Sequence, residues 1–82
     1  MQQETLEGVV ERITYYSDES GYTVLRLRPN KGRYGLAASR DGLLTVVGTL
    51  PELQPGETVR FTGTWGTHKE FGKQFKADES KK

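Results

Sequence analysis

The sequence predicts an all-β domain in which five short antiparallel strands close into a small barrel with little or no helix. Three observations support this prediction. Only 33% of the 82 residues are hydrophobic and 10 are glycine, which indicates short strands joined by many turns. No stretch of eight or more residues has apolar positions at a helical period. Apolar and polar residues alternate instead, and closure of so few strands would leave no exposed sheet edge.

The first strand is predicted over residues 5–16, where the alternation changes phase. The two faces hold different sets of residues: Leu6, Gly8 and Val10 on one, and Val9, Ile13 and Tyr15 on the other. A phase change next to a glycine predicts a bulge, which would let one strand pair with two neighbours of a small barrel. Tyr15 and Tyr16 point to opposite faces, so we expect only one of them to be exposed.

The second strand is predicted over residues 22–28, after a polar turn that ends in Gly21. Alternation places Thr23, Leu25 and Leu27 on one face, which we assign to the core. The opposite face then carries an aromatic and basic row on the outer surface, formed by Tyr22, Arg26 and Arg28. Pro29 ends the strand because it has no backbone N–H to donate.

The remaining strands are predicted over residues 43–48, 57–65 and 73–77. Two prolines stiffen the connection over 49–56, and Leu53 in that connection is expected to pack on the core. In the fourth strand one face holds the apolar set Val59, Phe61, Gly63 and Trp65. We therefore predict a disordered stretch at 1–4, one domain over 5–77 and a frayed polar tail at 78–82. The OB fold is the five-stranded barrel of this size and is the fold that we predict, and an SH3-like barrel is the alternative.

Charge is segregated along the chain although the net charge is only +1. Residues 1–19 contain five acids and one arginine, whereas residues 20–40 contain five basic residues and no acid. A polyanion responds to such local segregation more than to the total charge. The alternative interpretation is that the basic stretch over 29–42 is an ordinary solvated loop, although loops this long are often functional.

Basic and aromatic residues are interleaved in two sets, which predicts a surface for single-stranded nucleic acid. Such a ligand needs cations along its phosphates and flat rings under its bases. The first set is Tyr22, Arg26, Arg28, Lys31, Arg33 and Tyr34, and the second is Trp65, His68, Lys69, Phe71, Lys73 and Phe75, the last of which we expect in the core. In an OB barrel these sets would fall on strand 2, the 2–3 loop and the 4–5 loop, which border the usual binding face. Burial of Trp65 in the core is the competing interpretation for that residue.

The sequence contains no motif that predicts catalysis. His68 is the only histidine and there is no cysteine, so a cluster of such metal ligands cannot form. No G-x-x-x-x-G-K-[ST] phosphate loop is present. We therefore predict a non-catalytic domain without a metal or cofactor. The absence of a signal-peptide pattern or a long apolar run predicts a cytoplasmic protein that does not contact a membrane.

Two stretches of the chain carry a family resemblance. The segment GTLPELQPGETVRFTGTW at 48–65, followed by HKEFGKQF at 68–75, resembles the N-terminal OB-fold domain of RecD-like (YrrC-type) bacterial DNA helicases. The opening LEGVVERITYYSDESGYTVLRL at 6–27 is similar to the start of those proteins. The resemblance covers residues 6–77, nearly the whole chain, and the basic loop at 29–42 is the part least like the family.

The resemblance implies a superfamily 1, ATP-dependent helicase as the parent protein, whose motor domains would bind ATP and Mg²⁺ outside this segment. It implies an accessory module that contacts or positions single-stranded DNA, monomeric by itself, with the remaining helicase domains as partners. Two alternatives stay open. The module could dock on the motor domains or on another protein without touching DNA, or it could be a free-standing nucleic-acid-binding protein of the cold-shock type.

Overall fold

A computed structural model describes residues 3–30, 42–68 and 72–81, and these form one closed five-stranded barrel. The strands are β1 (Glu4–Tyr16), β2 (Tyr22–Pro29), β3 (Leu44–Thr49), β4 (Thr58–His68) and β5 (Gly72–Lys81). Their order around the barrel is β1-β2-β3-β5-β4, and β4 closes the ring by pairing with β1. The predicted all-β barrel is confirmed. The described residues contain no helix, and therefore none long and apolar enough to span a membrane.

One pair of strands in the barrel is parallel, so the prediction of a wholly antiparallel sheet is wrong in this detail. β3 and β5 run in the same direction, whereas the other four pairs are antiparallel. The reason is geometric. Strand directions cannot alternate all the way round a closed ring of five, so one neighbouring pair must be parallel.

β1 contains two irregularities and pairs with two strands, which confirms the predicted bulge and its purpose. It pairs with β4 over 4–9 and with β2 over 8–16, and its register shifts between Val10 and Arg12 and again between Ile13 and Tyr15. Each extra residue reverses the alternation. Ile13 therefore packs against the core while Tyr15 points outward, so the prediction that the two share a face is wrong.

Both tyrosines at the end of β1 are exposed, contrary to the expectation that only one would be. Tyr15 is 55% exposed and Tyr16 is 43% exposed. Tyr15 lies opposite Val24 on the outer face, whereas Tyr16 lies opposite Thr23 at the end of the strand pair. Alternation predicts which face a residue is on, but it does not show where along a strand the core ends.

The core is formed by the residues that the period-two pattern places inward. Leu25 and Leu27 of β2 and Val59 and Phe61 of β4 are fully buried, which confirms the assignment of faces in both strands. The other strands contribute further members of the same cluster: Leu6, Val10, Leu44, Val46, Phe75 and Ala77. Leu50 and Leu53, from the connection before β4, pack on this cluster as predicted for Leu53.

The last strand is longer than predicted, since β5 continues through the polar stretch that we expected to be frayed. Lys81 pairs with Arg60, and Ser80 pairs with Phe61. At the other terminus β1 already begins at Glu4, and the Gln3 side-chain amide donates to Asp78 Oδ2 at 2.9 Å. Backbone hydrogen bonds to β4 extend β5 through this stretch. Such bonds do not depend on the side chains, so polar residues can form them as well as apolar ones.

Two glycines allow β5 to lie close to its neighbours. A Cβ atom at Gly63 of β4 would stand 1.9 Å from the carbonyl oxygen of Lys76, and one at Gly48 of β3 would stand 2.4 Å from that of Ala77. Gly48 also has a φ of +152°, which disfavours any other residue. Close backbone approach on both sides of β5 therefore depends on these two positions.

Candidate nucleic-acid interface

A groove of about 590 Å³ crosses the outer face of four neighbouring strands, β1, β2, β3 and β5. A smaller depression of about 250 Å³ is lined by residues of β1, β4 and β5. Its walls and floor are formed by Arg12, Thr14, Tyr15, Tyr22, Val24, Arg26, Thr45, Val47 and Gln74. Aromatic, cationic and hydrogen-bonding side chains thus meet in one concave surface.

Four polar residues of the groove lie side by side across the strands, and we call them the polar row: Arg12, Arg26, Thr45 and Gln74. Arg12 of β1 pairs with Arg26 of β2, which in turn pairs with Thr45 of β3. Gln74 immediately precedes Phe75, whose partner on β3 is Val46, so Gln74 lies level with Thr45. Arg12, Arg26 and Thr45 point outward because their neighbours along the strand are buried in the core or at a bulge, and Gln74 does so because the next residue, Phe75, is buried in the core.

Three apolar residues form a second row beside the first, and we call them the apolar row: Tyr15, Val24 and Val47. Tyr15 pairs with Val24, and Val24 pairs with Val47. The ring of Tyr22 extends this row, since its centroid lies 6.4 Å from that of Tyr15 with the planes tilted by 59°. The groove therefore has an aromatic and aliphatic side next to a polar side.

The bulge in β1 directs Tyr15 into the groove. Thr14 is the residue left without a ladder partner between Ile13 and Tyr15. Its hydroxyl Oγ1 donates to the carbonyl oxygen of Val24 at 3.1 Å, which fixes the irregular backbone at this point. A local side-chain bond of this kind replaces the missing ladder bond. Without the extra residue, Tyr15 would not lie opposite Val24.

Arg26 lies in the groove as predicted, but it is half-buried rather than fully solvated. Its Nη1 donates to Thr45 Oγ1 across the β2–β3 pair. Arg12, which lines the groove from the neighbouring strand, is exposed. Arg12 is thus placed to meet a ligand in solvent, whereas Arg26 contributes positive charge at the floor.

Arg28 is exposed, as predicted, but it does not line the groove. It forms two contacts with the carboxylate of Glu11: Nε to Oε2 at 3.2 Å and Nη2 to Oε1 at 3.1 Å. Glu11 belongs to the acidic stretch that the sequence places earlier in the chain. The local charge of Arg28 is therefore compensated within the domain, and a phosphate would have to compete with Glu11.

Trp65 is half-buried and packs on the core. Its ring meets that of Phe75 edge-on, and it is not among the residues that line the groove. Lys73 is exposed on β5 opposite Thr67. His68 ends β4, opposite Gly72. Five further predicted residues lie outside the described part of the chain: Lys31, Arg33, Tyr34, Lys69 and Phe71.

Several groove residues were missed by the sequence reasoning, namely Arg12, Thr14, Tyr15, Thr45 and Gln74. One of them could have been found. Tyr15 and Tyr22 flank the turn between the first two strands, and hairpin pairing brings such residues together. Thr45 and Gln74 join the groove only through the pairing of β2 with β3 and of β3 with β5, which no local pattern indicates.

The closed five-stranded barrel with a groove across its outer face defines this chain as an OB-fold domain, a type of domain built for binding rather than catalysis. Comparison with family models identifies the family of OB-fold domains to which it belongs. The chain belongs to the family of the OB-fold domain of ATP-dependent DNA helicase YrrC, whose model matches residues 3–82. The resemblance noted in the sequence is thereby confirmed, and the domain is an accessory module of a helicase family.

Proposed function

We propose that this domain binds single-stranded DNA in the groove and so positions the strand for the motor of the helicase. The observation that carries the proposal is the meeting of two tyrosine rings and two arginines, Tyr15, Tyr22, Arg12 and Arg26, in one groove on the outer face of β1, β2, β3 and β5. Single strands bind to OB folds by base stacking on aromatic rings and by cations along the backbone. The family supports the same ligand class, because helicases act on DNA strands.

The two tyrosines would each receive a base on a separate face. Their planes are tilted by 59°, so the rings cannot sandwich one base between parallel surfaces. Tyr15 and Tyr22 are 55% and 39% exposed, which leaves ring surface for stacking. Stacking on an aromatic ring contributes roughly 1–3 kcal/mol per base. Two successive bases over this pair would place their phosphates along the rim, where Arg12 is exposed.

A salt titration tests this proposal. Labelled oligothymidine is titrated with the chain, and the dissociation constant is followed by anisotropy between about 50 and 200 mM salt. We expect binding that weakens as salt rises, because each phosphate contact releases counterions. Absence of binding at the lowest salt would contradict direct DNA contact by this domain.

A second candidate function, docking on the motor domains or on another protein, is supported by the apolar row. Val24 and Val47 give the groove an aliphatic floor that would also accept a protein side chain. Chemical-shift mapping separates the two functions. Groove resonances should move on addition of oligonucleotide if the domain binds DNA, and only on addition of the remaining helicase domains if it docks. ATP and Mg²⁺ are assigned to the motor domains under both proposals.

A further inference from the structure

We propose that the polar row reads the edge of one base seated in the groove, and that it favours bases that carry a carbonyl oxygen over adenine. This inference rests on the proposed binding of single-stranded DNA and specifies which strands the same groove selects. Two features carry it: the hydrogen-bonding state of Thr45 next to Arg26, and the side-chain amide of Gln74 in the lining of the groove.

The two rows of the groove are placed to contact two different parts of a base. Val24 and Arg26 are two residues apart on β2, and Thr45 and Val47 are two residues apart on β3. Two residues along a strand correspond to about 7 Å. A base whose ring lies against the apolar row therefore has its polar edge directed at the polar row.

Thr45 presents a hydrogen-bond donor to this edge. Its Oγ1 already accepts a hydrogen bond from Arg26 Nη1, which leaves the hydroxyl proton to be donated. The guanidinium next to it adds positive charge at the floor of the groove. Such a corner stabilises an acceptor with two lone pairs. An amino group could use only the remaining lone pair of Thr45 Oγ1 and would direct a hydrogen at the positively charged guanidinium.

Gln74 supplies the second contact. Its side chain is only 9% exposed and lines the groove, yet the amide makes no hydrogen bond to any residue in 3–30, 42–68 or 72–81. The amide therefore faces the groove without a protein partner in the described part of the chain, so a ligand seated there can hydrogen-bond to it in exchange for water. The amide of Gln74 can both donate and accept a hydrogen bond. It can therefore bond to the ring nitrogen next to the carbonyl group of a base, whether or not that nitrogen carries a hydrogen.

The four bases differ in the feature that this corner would recognise. Thymine, guanine and cytosine carry a ring carbonyl oxygen, whereas adenine carries only an amino group and ring nitrogens. Hypoxanthine is the adenine ring with that amino group replaced by a carbonyl oxygen and with a hydrogen on the neighbouring ring nitrogen N1, which Gln74 can meet by accepting instead of donating. It therefore tests the proposed preference with little change in size or stacking.

The experiment compares the full chain bound to a short oligodeoxyadenosine and to the same oligomer with hypoxanthine in place of adenine. We expect about tenfold tighter binding of the hypoxanthine oligomer, since a hydrogen bond next to a charged group contributes at that level. Thr45→Val keeps the shape of the side chain and removes the donor, so it should bring the two affinities close to each other. Gln74→Leu should weaken both complexes to a similar degree.

Thr62→Val on β4 is the matched control, because it makes the same chemical change outside the groove and should keep the tenfold preference. Thermal melts of each variant confirm that it is folded. Equal and measurable affinity of the wild-type chain for the two oligomers would overturn base reading while leaving DNA binding intact. A preference that survives Thr45→Val would overturn the role of this residue. Failure to bind any oligonucleotide, including oligothymidine, would contradict the proposed function itself.

Discussion

The indole ring of Trp65 stands edge-on to the ring of Phe75, with the two centroids 5.1 Å apart and the planes at 78°. The two residues are directly paired across β4 and β5, and Phe75 is fully buried. This contact assigns the only tryptophan to the core side of the barrel rather than to the groove. Its fluorescence should therefore report unfolding and respond little to a ligand on the outer face.

Phe61→Ala is expected to destabilise the barrel by roughly 3–5 kcal/mol, because it leaves a cavity at a fully buried position. Small domains have total stabilities of about 5–15 kcal/mol, so the variant should be close to unfolding. Urea denaturation followed by Trp65 fluorescence measures the change. Thr64→Ala, an outward position on the same strand, is the control and should cost far less. Equal midpoints for the two variants would contradict the assignment of the faces of β4.

Gly63→Ala should prevent the normal approach of β4 to β5. Its Cβ would lie 1.9 Å from the Lys76 carbonyl oxygen, so the backbone must move, and we expect a loss of about 3 kcal/mol or more. Gly56→Ala is the comparison. Gly56 has a φ of +94° but no atom within 4 Å of the added Cβ, so only the conformational strain of about 1–2 kcal/mol applies. If urea midpoints ranked the two variants in the opposite order, the close approach of β4 to β5 at Gly63 would not be what limits the stability of the barrel.

Tyr15→Ala should weaken binding of single-stranded DNA by about 1–3 kcal/mol, the contribution of one stacked base. Tyr16→Ala is a closely matched control, since the neighbouring ring is also exposed but does not line the groove. We expect it to leave the affinity almost unchanged. Anisotropy titrations at one salt concentration compare the three proteins. A larger loss for Tyr16→Ala would place the DNA on the other side of β1.

Glu11→Gln should increase DNA affinity at low salt. The change removes a carboxylate that makes two contacts with Arg28, so a phosphate no longer has to compete with Glu11 for this guanidinium. Glu7→Gln makes the same change in net charge, and its partner is Arg60. Arg60 lies on β4, a strand that pairs with neither β2 nor β3. Glu7→Gln should have a smaller effect on affinity. Both exposed pairs contribute about 1 kcal/mol or less to stability, so neither variant should unfold. Equal gains from the two variants would mean that only the total charge matters.

Arg12→Gln should reduce the salt dependence of DNA binding. If Arg12 contacts one phosphate, the slope of log K against log salt should fall by about 1. Arg60→Gln removes the same charge outside the groove and should leave the slope unchanged. The measurement is a series of titrations at increasing salt for the wild type and both variants. An unchanged slope for Arg12→Gln would remove this residue from the DNA interface.

The inward faces of the strands were predictable from local pattern. Leu25 and Leu27 on β2, and Val59 and Phe61 on β4, alternate with polar residues, and each is buried. A period of two is a property of every extended strand, so it can be recognised without knowledge of the partner strand. The predicted end of β5 was wrong because its polar residues carry no apolar alternation, although their backbone pairs with β4.

The groove was only partly predictable. Tyr22 and Arg26 were recognised from the pattern of their own strand, where they lie on the face opposite to that of Leu25 and Leu27. Arg28 shares their face, but its charge is compensated by Glu11, a residue 17 positions earlier in the chain. Gln74 has no distinguishing neighbourhood in the sequence, because its position next to Thr45 depends on the parallel pairing of β3 and β5.

The sequence by itself determined the all-β barrel, the core residues and the helicase family, because these depend on short-range alternation, turn residues and a continuous segment of similarity. Only the tertiary structure decided which side chains meet on the outer face. It directed Tyr15 toward Tyr22 through a bulge, paired Arg28 with Glu11, and brought Arg12, Thr45 and Gln74 into one row from three strands. The physical reason is that strand register and barrel closure bring together residues that are far apart in the chain. The free energy that fixes the register comes from contacts over the whole sheet, so no local stretch of sequence reveals it.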